Sequence, residues 1–380
     1  MRTSTAKTVL FLPLGNVLGH VTRSAALAEA FCRSGHTVYM AMTCKYAFLQ
    51  KLLHPAITVV PRMELPDSFI DRFGYIHHYE EGVTYDRKNI EKAEERCGVY
   101  RKSMITRIHS MVQEDCALID RLHPDCIVTD YRVTAGFLAF KYPERVFQIS
   151  HVLGYPSYHA RVTRKLPPPF DTERVVIPGI PEIEMWRRRK DAVGGRHLFC
   201  GPFRWEGWSR LPAAAVPPTD LFLFFGSTGG EKNSIPRLLE RIPESYSVSC
   251  ISSIRKNRDS GSRIHVYAKG TLEQFLRCSR VLLCHGGHGT VMESVYHEVP
   301  VMIFPKNIEQ LEIGRRVEKM NLGILVKKPL ETLSRRELDT MIKRVYDSAA
   351  IRRNLKKYSA LLRAHGNGAE LAMHRILGTL

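Results

Sequence analysis

The sequence predicts an α/β protein of two Rossmann-like domains, each a parallel sheet with helices on its faces. Three observations carry that reading. At 380 residues the chain exceeds one ordinary core and fits two domains of common size. It opens with a strand–loop–helix–strand unit, whose crossover favours parallel pairing. A second such series begins near residue 221 with the continuous apolar run Leu221-Phe222-Leu223-Phe224-Phe225, the pattern of a strand buried on both faces.

In the first half, residues 9–12 read as a strand and residues 13–20 as a loop. A helix follows, with Leu27, Ala30 and Phe31 at helical spacing, ending at Ser34-Gly35. Residues 37–42 are the next strand. Residues 63–99 lack a clean period. A helix over 100–121 leads into His123-Pro124-Asp125-Cys126-Ile127-Val128-Thr129-Asp130, a buried strand ending in a carboxylate, and residues 146–150 form another strand. Residues 155–218 are rich in Pro and Arg, which places a boundary near residue 200. The domains expected are 1–200, including this linker region, and 201–380. Strands and helices alternate from 221 to 326, and the tail from Ser334 is mostly helical.

Composition narrows the function classes. Apolar residues are 44% and charged residues 25%, as in folded globular proteins. No run approaches the roughly 18 apolar residues of a membrane span. Residues 1–7 lead straight into a strand without the apolar region and cleavage site of a signal peptide, so a cytoplasmic location is expected. The nine cysteines include no C-x-x-C pair, and Cys126, Cys250 and Cys284 sit in apolar runs as small hydrophobes. Neither a disulfide framework nor a metal site is expected. The net charge of +18 implies attraction to something anionic. Basic knots occur at residues 187–190, 255–258 and 352–357. No zinc-finger spacing, RNP-like motif or basic helix with heptads accompanies them, so no nucleic-acid partner is expected.

The most informative stretch is Cys284-His285-Gly286-Gly287-His288-Gly289-Thr290-Val291-Met292-Glu293. Glycines after a strand permit close backbone approach. The helix they open offers unpaired N–H groups and the positive end of its dipole to a phosphate. Thr290 can cap that helix and offer its hydroxyl, His285 and His288 can donate to the same anion, and Glu293 can accept from a ribose diol. The local pattern fits a glycine turn without a ligand equally well. After the next strand, Glu309 and Gln310 supply an acceptor and an amide suited to a polyhydroxylated sugar. Taken alone, they also fit an exposed acidic loop.

In the first half, Gly19-His20 falls at the carboxyl end of the first strand. A histidine there suits general-base work on a hydroxyl, and Asp130 could orient it. A helix cap or phosphate contact is the other reading of His20, and a cap or turn that of Asp130.

Together these residues carry a family resemblance. His285-Gly-Gly-His-Gly-Thr290 through Glu293, Val299-Pro300, Pro305 and Glu309-Gln310 resemble the donor signature of the GT-B fold, UDP-glycosyltransferase-like family (family GT1). Phe225-Gly226-Ser227-Thr228, Gly201-Pro202 and the closing Gly366-Asn367-Gly368-Ala369-Glu370 are also similar to it. The resemblance implies two parallel sheets facing a central cleft, with a C-terminal helix closing the second domain. It implies a nucleotide-sugar donor, UDP- or dTDP-linked, and no other cofactor. Gly226, Ser227, His285, Gly286, Gly287, His288, Gly289 and Thr290 would surround the diphosphate, Glu293 the ribose, and Glu309 with Gln310 the sugar. His20 and Asp130 match the family's G-H loop and strand-end aspartate. The same G-H spacing also resembles lipid-intermediate GlcNAc transferases.

Three departures stand out. Gly270-Thr271-Leu272 replaces the usual base-contacting element, Glu298 stands where glycine usually precedes Val-Pro, and Ile313 stands where asparagine often follows the D/E-Q pair.

The expected activity is inverting transfer to a small-molecule, secondary-metabolite-like hydroxyl, independent of metal, with His20 as base. The basic charge and Trp186-Arg187-Arg188-Arg189-Lys190 fit instead a lipid or lipid-linked acceptor, with peripheral contact to an anionic membrane. A related sugar-nucleotide epimerase or hydrolase is a further alternative.

Overall fold

The computed structural model describes residues 5–43, 46–64, 102–151, 174–183, 198–211, 215–226, 230–252, 263–267 and 270–380. The described residues form two compact units. One holds those up to 210 together with 365–380, and the other holds 211–364.

The first unit runs β1 (Thr8–Pro13), α1 (Leu18–Arg33), β2 (Thr37–Met42), α2 (Ala47–Gln50), β3 (Ile57–Pro61), α3 (Lys102–Leu122), β4 (Cys126–Asp130), α4 (Ala135–Lys141), β5 (Val146–Ile149), β6 (Val175–Ile177) and β7 (Leu198–Phe199). Its strands are ordered β3-β2-β1-β4-β5-β6-β7 and all pair in parallel. Val9, Leu10, Phe11 and Leu12 are fully buried because a central parallel strand is covered on both faces. Phe31 of α1 meets Phe11 edge-on with ring centroids 6.0 Å apart. Removing either ring would cost about 3–5 kcal/mol.

The second unit repeats the plan with β8 (Thr219–Phe224), α5 (Gly230–Arg241), β9 (Val248–Ile251), β10 (Ile264–Tyr267), α6 (Leu272–Leu276), β11 (Ser279–Cys284), α7 (His288–Tyr296), β12 (Val301–Ile303), α8 (Ile308–Lys319), β13 (Gly323–Leu325), α9 (Arg335–Tyr346) and α10 (Ala349–Ala364). Its strand order is β10-β9-β8-β11-β12-β13, again parallel throughout. Cys126, Cys250 and Cys284 are buried free thiols, as their apolar runs predict.

The closing helix departs from the sequence-based division at residue 200. α11 (Gly368–Leu377) packs on α1, so residues 365–380 belong to the first unit instead of closing the second. The first residue of α11 also meets the segment at 201–202 backbone to backbone. The N–H of Gly368 donates to the carbonyl of Pro202 at 3.0 Å, and a Cβ on Gly368 would lie 2.2 Å from the Gly201 oxygen. Among the described residues no helix is long and apolar enough to cross a membrane. Ser227, Thr228 and the basic knots at 187–190 and 255–258 lie outside the described residues.

Glu298, at the turn between α7 and β12, has φ 61°. Its departure from the glycine of the family pattern therefore falls where an L side chain is strained. Glu298→Gly should raise the unfolding free energy by about 1 kcal/mol, read from urea denaturation, because relief of the left-handed strain exceeds the added chain entropy.

Candidate functional site

Both strand orders reverse at one place, between β1 and β4 in the first unit and between β8 and β11 in the second. Loops leaving the carboxyl ends of such strands diverge and leave a crevice. The residues singled out in the sequence fall at these two places.

In the first unit, Pro13 and Asp130 are register partners, which sets the end of β4 beside the loop entering α1. His20 lies in the first turn of α1, where Val17 is the N-cap residue and no side chain caps the helix. The capping reading of His20 is therefore not what the structure shows. Its Nδ1 lies 2.7 Å from Asp130 Oδ1. Asp130 is fully buried. Burial alone would raise its pKa, but the charges of Arg23 and His20 and their hydrogen bonds outweigh it and hold the carboxyl well below the usual range. An ionised carboxylate only accepts hydrogen bonds, so the proton of the neutral His20 ring sits on Nδ1 and the lone pair on Nε2. Asp130 is thus bound to side chains and caps no helix.

Residues the sequence reading passed over complete this cluster. Arg23 Nε donates to Asp130 Oδ2 at 2.7 Å, and Ser24 Oγ donates to the same oxygen at 3.4 Å. Tyr131 follows Asp130 with φ 56°, its ring centroid 5.2 Å from that of His20 and 6.3 Å from that of His151. Arg23 lies one helical turn beyond His20, and His151 follows a strand's carboxyl end as Asp130 does. Those two spacings were available in the sequence.

In the second unit, the loop from Cys284 reverses at Gly286, which has φ 88°. A Cβ there would lie 2.7 Å from Ile303 Cγ2. The reversal starts α7 early: Gly287 is the N-cap residue and no side chain caps the helix. Thr290 is therefore the third helical residue and not the cap that the sequence suggests. It is buried, as is His288, whereas Gly289 is exposed. The first turn of α7 contains no acidic residue, so its N–H groups and dipole form a positive pole. Gly226, with φ 71°, approaches the His285 ring so closely that a Cβ would lie 2.9 Å from Cε1.

His285 differs from a ready anion donor. Its ring hydrogen-bonds to the Phe224 carbonyl, and Nδ1 has no hydrogen-bond partner. Burial first, then the charge of Lys306, lowers its pKa to about 4 against the opposing pull of Glu309. The neutral ring has one N–H, already committed, and would donate through Nδ1 only after taking up a proton that a bound anion would favour.

Glu293 sits in the middle of α7, with its carboxylate 3.5 Å from His297 Nε2. Asn307 caps α8 by accepting from Gln310 N at 2.9 Å. Gln310 Oε1 in turn accepts from Lys306 N at 2.8 Å, so the amide oxygen expected to grip a sugar is already engaged in shaping the loop. Glu309 lies beside it in the first turn of α8. Lys306 Nζ stands over the Phe225 ring, 5.4 Å from its centroid, and adds a cation that the motif reading did not use.

No family model matches the chain. A UDP-glycosyltransferase of Talaromyces amestolkiae is 28% identical over 152 residues, covering 38% of this chain and 28% of that protein. An uncharacterized glycosyltransferase of Methanosarcina mazei is 23% identical over 344 residues, covering 83% of this chain and 85% of that protein. The spinosyn rhamnosyltransferase SpnG superposes with a TM-score of 0.72 at 17% identity, over 97% of this chain and 99% of its own. Its structure complexed with thymidine diphosphate gives 0.71 at the same identity, over 96% and 98%. The chain has the GT-B fold of these glycosyltransferases. Two parallel sheets flanked by helices are what it shares with those structures.

The buried pair carries a stability signature. The folded pKa of Asp130 lies below the unfolded value of about 3.9. Its ionisation therefore contributes stability that is fully present above roughly pH 4 and is lost as pH falls through the folded value. Asp130→Asn, which leaves Arg23 against a neutral amide, should cost about 3–5 kcal/mol at neutral pH. In urea denaturation at stepped pH, the gap between wild type and variant should narrow below about pH 4.

Proposed function

We propose that the protein is an inverting glycosyltransferase that moves a sugar from a UDP- or dTDP-sugar to a hydroxyl of a small-molecule acceptor, with His20 as general base. The observation that carries this reading is the 2.7 Å contact of His20 Nδ1 with the buried, ionised Asp130. It leaves the lone pair on Nε2, the atom that would take the acceptor proton as its oxygen attacks the anomeric carbon. A single displacement of this kind inverts that carbon. Asp130 stabilises the imidazolium that forms, without itself accepting the proton.

The leaving diphosphate would lie against the backbone at residues 286–290 and the N-terminus of α7, with Lys306 as a nearby cation. These groups supply the positive field that the reaction requires, so the proposed mechanism uses no metal ion. Glu293 would meet the ribose, and Glu309 with the free end of the Gln310 amide the transferred sugar. The thymidine diphosphate bound by SpnG supports a nucleoside diphosphate at this place.

His20→Ala should lower kcat by about 10²–10⁴-fold, measured as product formed from a panel of UDP- and dTDP-sugars and phenolic or alcoholic acceptors. The thermal shift given by UDP or TDP should persist, because the donor loop is untouched. Unchanged turnover in the variant removes His20 from the reaction, and absence of any nucleotide-dependent shift in the wild type removes the donor assignment.

A lipid or lipid-linked acceptor is the second reading, and α10 favours it. That helix contains no acidic residue, and Arg352, Arg353, Lys356 and Lys357 are all exposed. Vesicles with about one third anionic lipid should then sediment with the protein at low salt and release it at high salt. The triple charge reversal at Arg353, Lys356 and Lys357 should abolish sedimentation. Protein that stays in the supernatant at low salt leaves the small-molecule reading alone.

A further inference from the structure

The His20–Asp130 pair has more company than a base and its orienting carboxylate require. Arg23 holds both carboxylate oxygens, Oδ2 through Nε at 2.7 Å and Oδ1 through the terminal nitrogen Nη2. Its other terminal nitrogen, Nη1, lies 2.7 Å from Nδ1 of His151. His151 is buried just beyond the carboxyl end of β5.

A guanidinium has donors and no acceptor. The contact with Arg23 therefore requires a lone pair on His151 Nδ1, which puts the proton of that neutral ring on Nε2. At His20 the same atom has the opposite state. Its Nδ1 faces an acceptor-only oxygen at 2.7 Å and must carry the proton. The 2.8 Å separation of Arg23 Nη2 from His20 Nδ1 is then two donors converging on one oxygen, Asp130 Oδ1. Tyr131, in its left-handed conformation, has its ring beside each of the two imidazoles. Backbone strain in a bulky residue persists only where neighbouring contacts enforce it.

We propose that Arg23 is a positioning residue that fixes His20 and His151 in opposite tautomers, so that His20 presents Nε2 as the proton acceptor. It acts on His151 directly. It acts on His20 through Asp130, whose two oxygens it orients while neutralising their charge. This inference rests on the reading of His20 as the base, but its central observable does not depend on turnover.

The test is ¹⁵N NMR of the full-length protein labelled at histidine, with His20→Gln and His151→Gln spectra assigning the two rings. The wild type should show His20 protonated at Nδ1 and His151 protonated at Nε2. In Arg23→Gln and Arg23→Ala, His151 should change to a tautomer-averaged signal, and kcat should fall roughly tenfold to a hundredfold with donor KM little changed. Arg23→Lys keeps the charge that balances the buried Asp130, so it guards against a variant that fails to fold. A single ammonium cannot serve the carboxylate fork and His151 together, so this variant too should release the His151 tautomer.

A wild-type His151 protonated at Nδ1 overturns the proposal, as do tautomers unchanged in folded Arg23→Lys. If the tautomers behave as stated while no donor supports transfer in the wild type, the catalytic reading fails and the positioning by Arg23 stands.

Discussion

Each sheet in this protein reverses its winding once, and that reversal constrains everything else. β1 pairs with both β2 and β4, and β8 with both β9 and β11. Right-handed crossovers then send the connections from the two central strands to opposite faces. The carboxyl ends of that strand pair are left without a covering helix. Chain segments far apart in sequence meet there, residue 20 with residue 130 and residue 226 with residue 285. The residues proposed to act in each unit lie at the edge where its strand order reverses.

Burying a carboxylate at such an edge costs several kcal/mol unless it is paired and hydrogen-bonded. Asp130 meets that requirement with Arg23, His20 and Ser24. Two residues on, Arg132 is buried as well, with Nε 2.7 Å from Asp115 Oδ2 and Nη2 2.9 Å from Oδ1, and with Glu64 on its remaining side. Burial opposes its charge, but Asp115 and Glu64 outweigh burial and hold it protonated. The turn is therefore gripped by ionic contacts at residues 130 and 132, with Tyr131 between them at φ 56°. A left-handed tyrosine costs about 1–2 kcal/mol, which clamps on either side can sustain. Strain and buried charge thus share one short turn, and the proposed base on α1 is held against it.

The fold was largely legible because its signals are local. Residues 221–225 and 281–284 read as strands from uninterrupted apolar runs and fall on β8 and β11, and the reading of residues 37–42 matches β2 at both ends. His20 and Asp130 were found because strand ends can be located without knowing what packs on them. What escaped was non-local. Arg23 reads as an ordinary helix-surface arginine until Asp130 is beside it, and His151 has no motif around it. The closing segment reads as helical, but its place in the first unit rests on packing against α1 and on the meeting of Gly368 with Gly201 and Pro202, both far away in sequence. The start of α7 was misjudged because Thr290 is the usual capping type, whereas the positive φ of Gly286 fixes where the helix begins.

The two edges differ in how they balance charge, and the difference bears on the ligands proposed for each. In the first unit the guanidinium of Arg23 lies on the carboxylate of Asp130, so the cluster closes on itself with no net charge when both imidazoles are neutral. Such a cluster can orient a hydroxyl and take its proton, but it offers an anion little attraction. In the second unit the first turn of α7 has no acid, its backbone N–H groups point out of the helix, and Lys306 stands nearby. The neutral His285 ring has its one N–H committed and gains a free donor only if an anion draws a proton onto it. In the proposed reaction this difference suits the anionic diphosphate to the second edge and the uncharged hydroxyl to the first. Exchanging them would leave the diphosphate against a neutralised cluster and the positive pole of α7 without an anion.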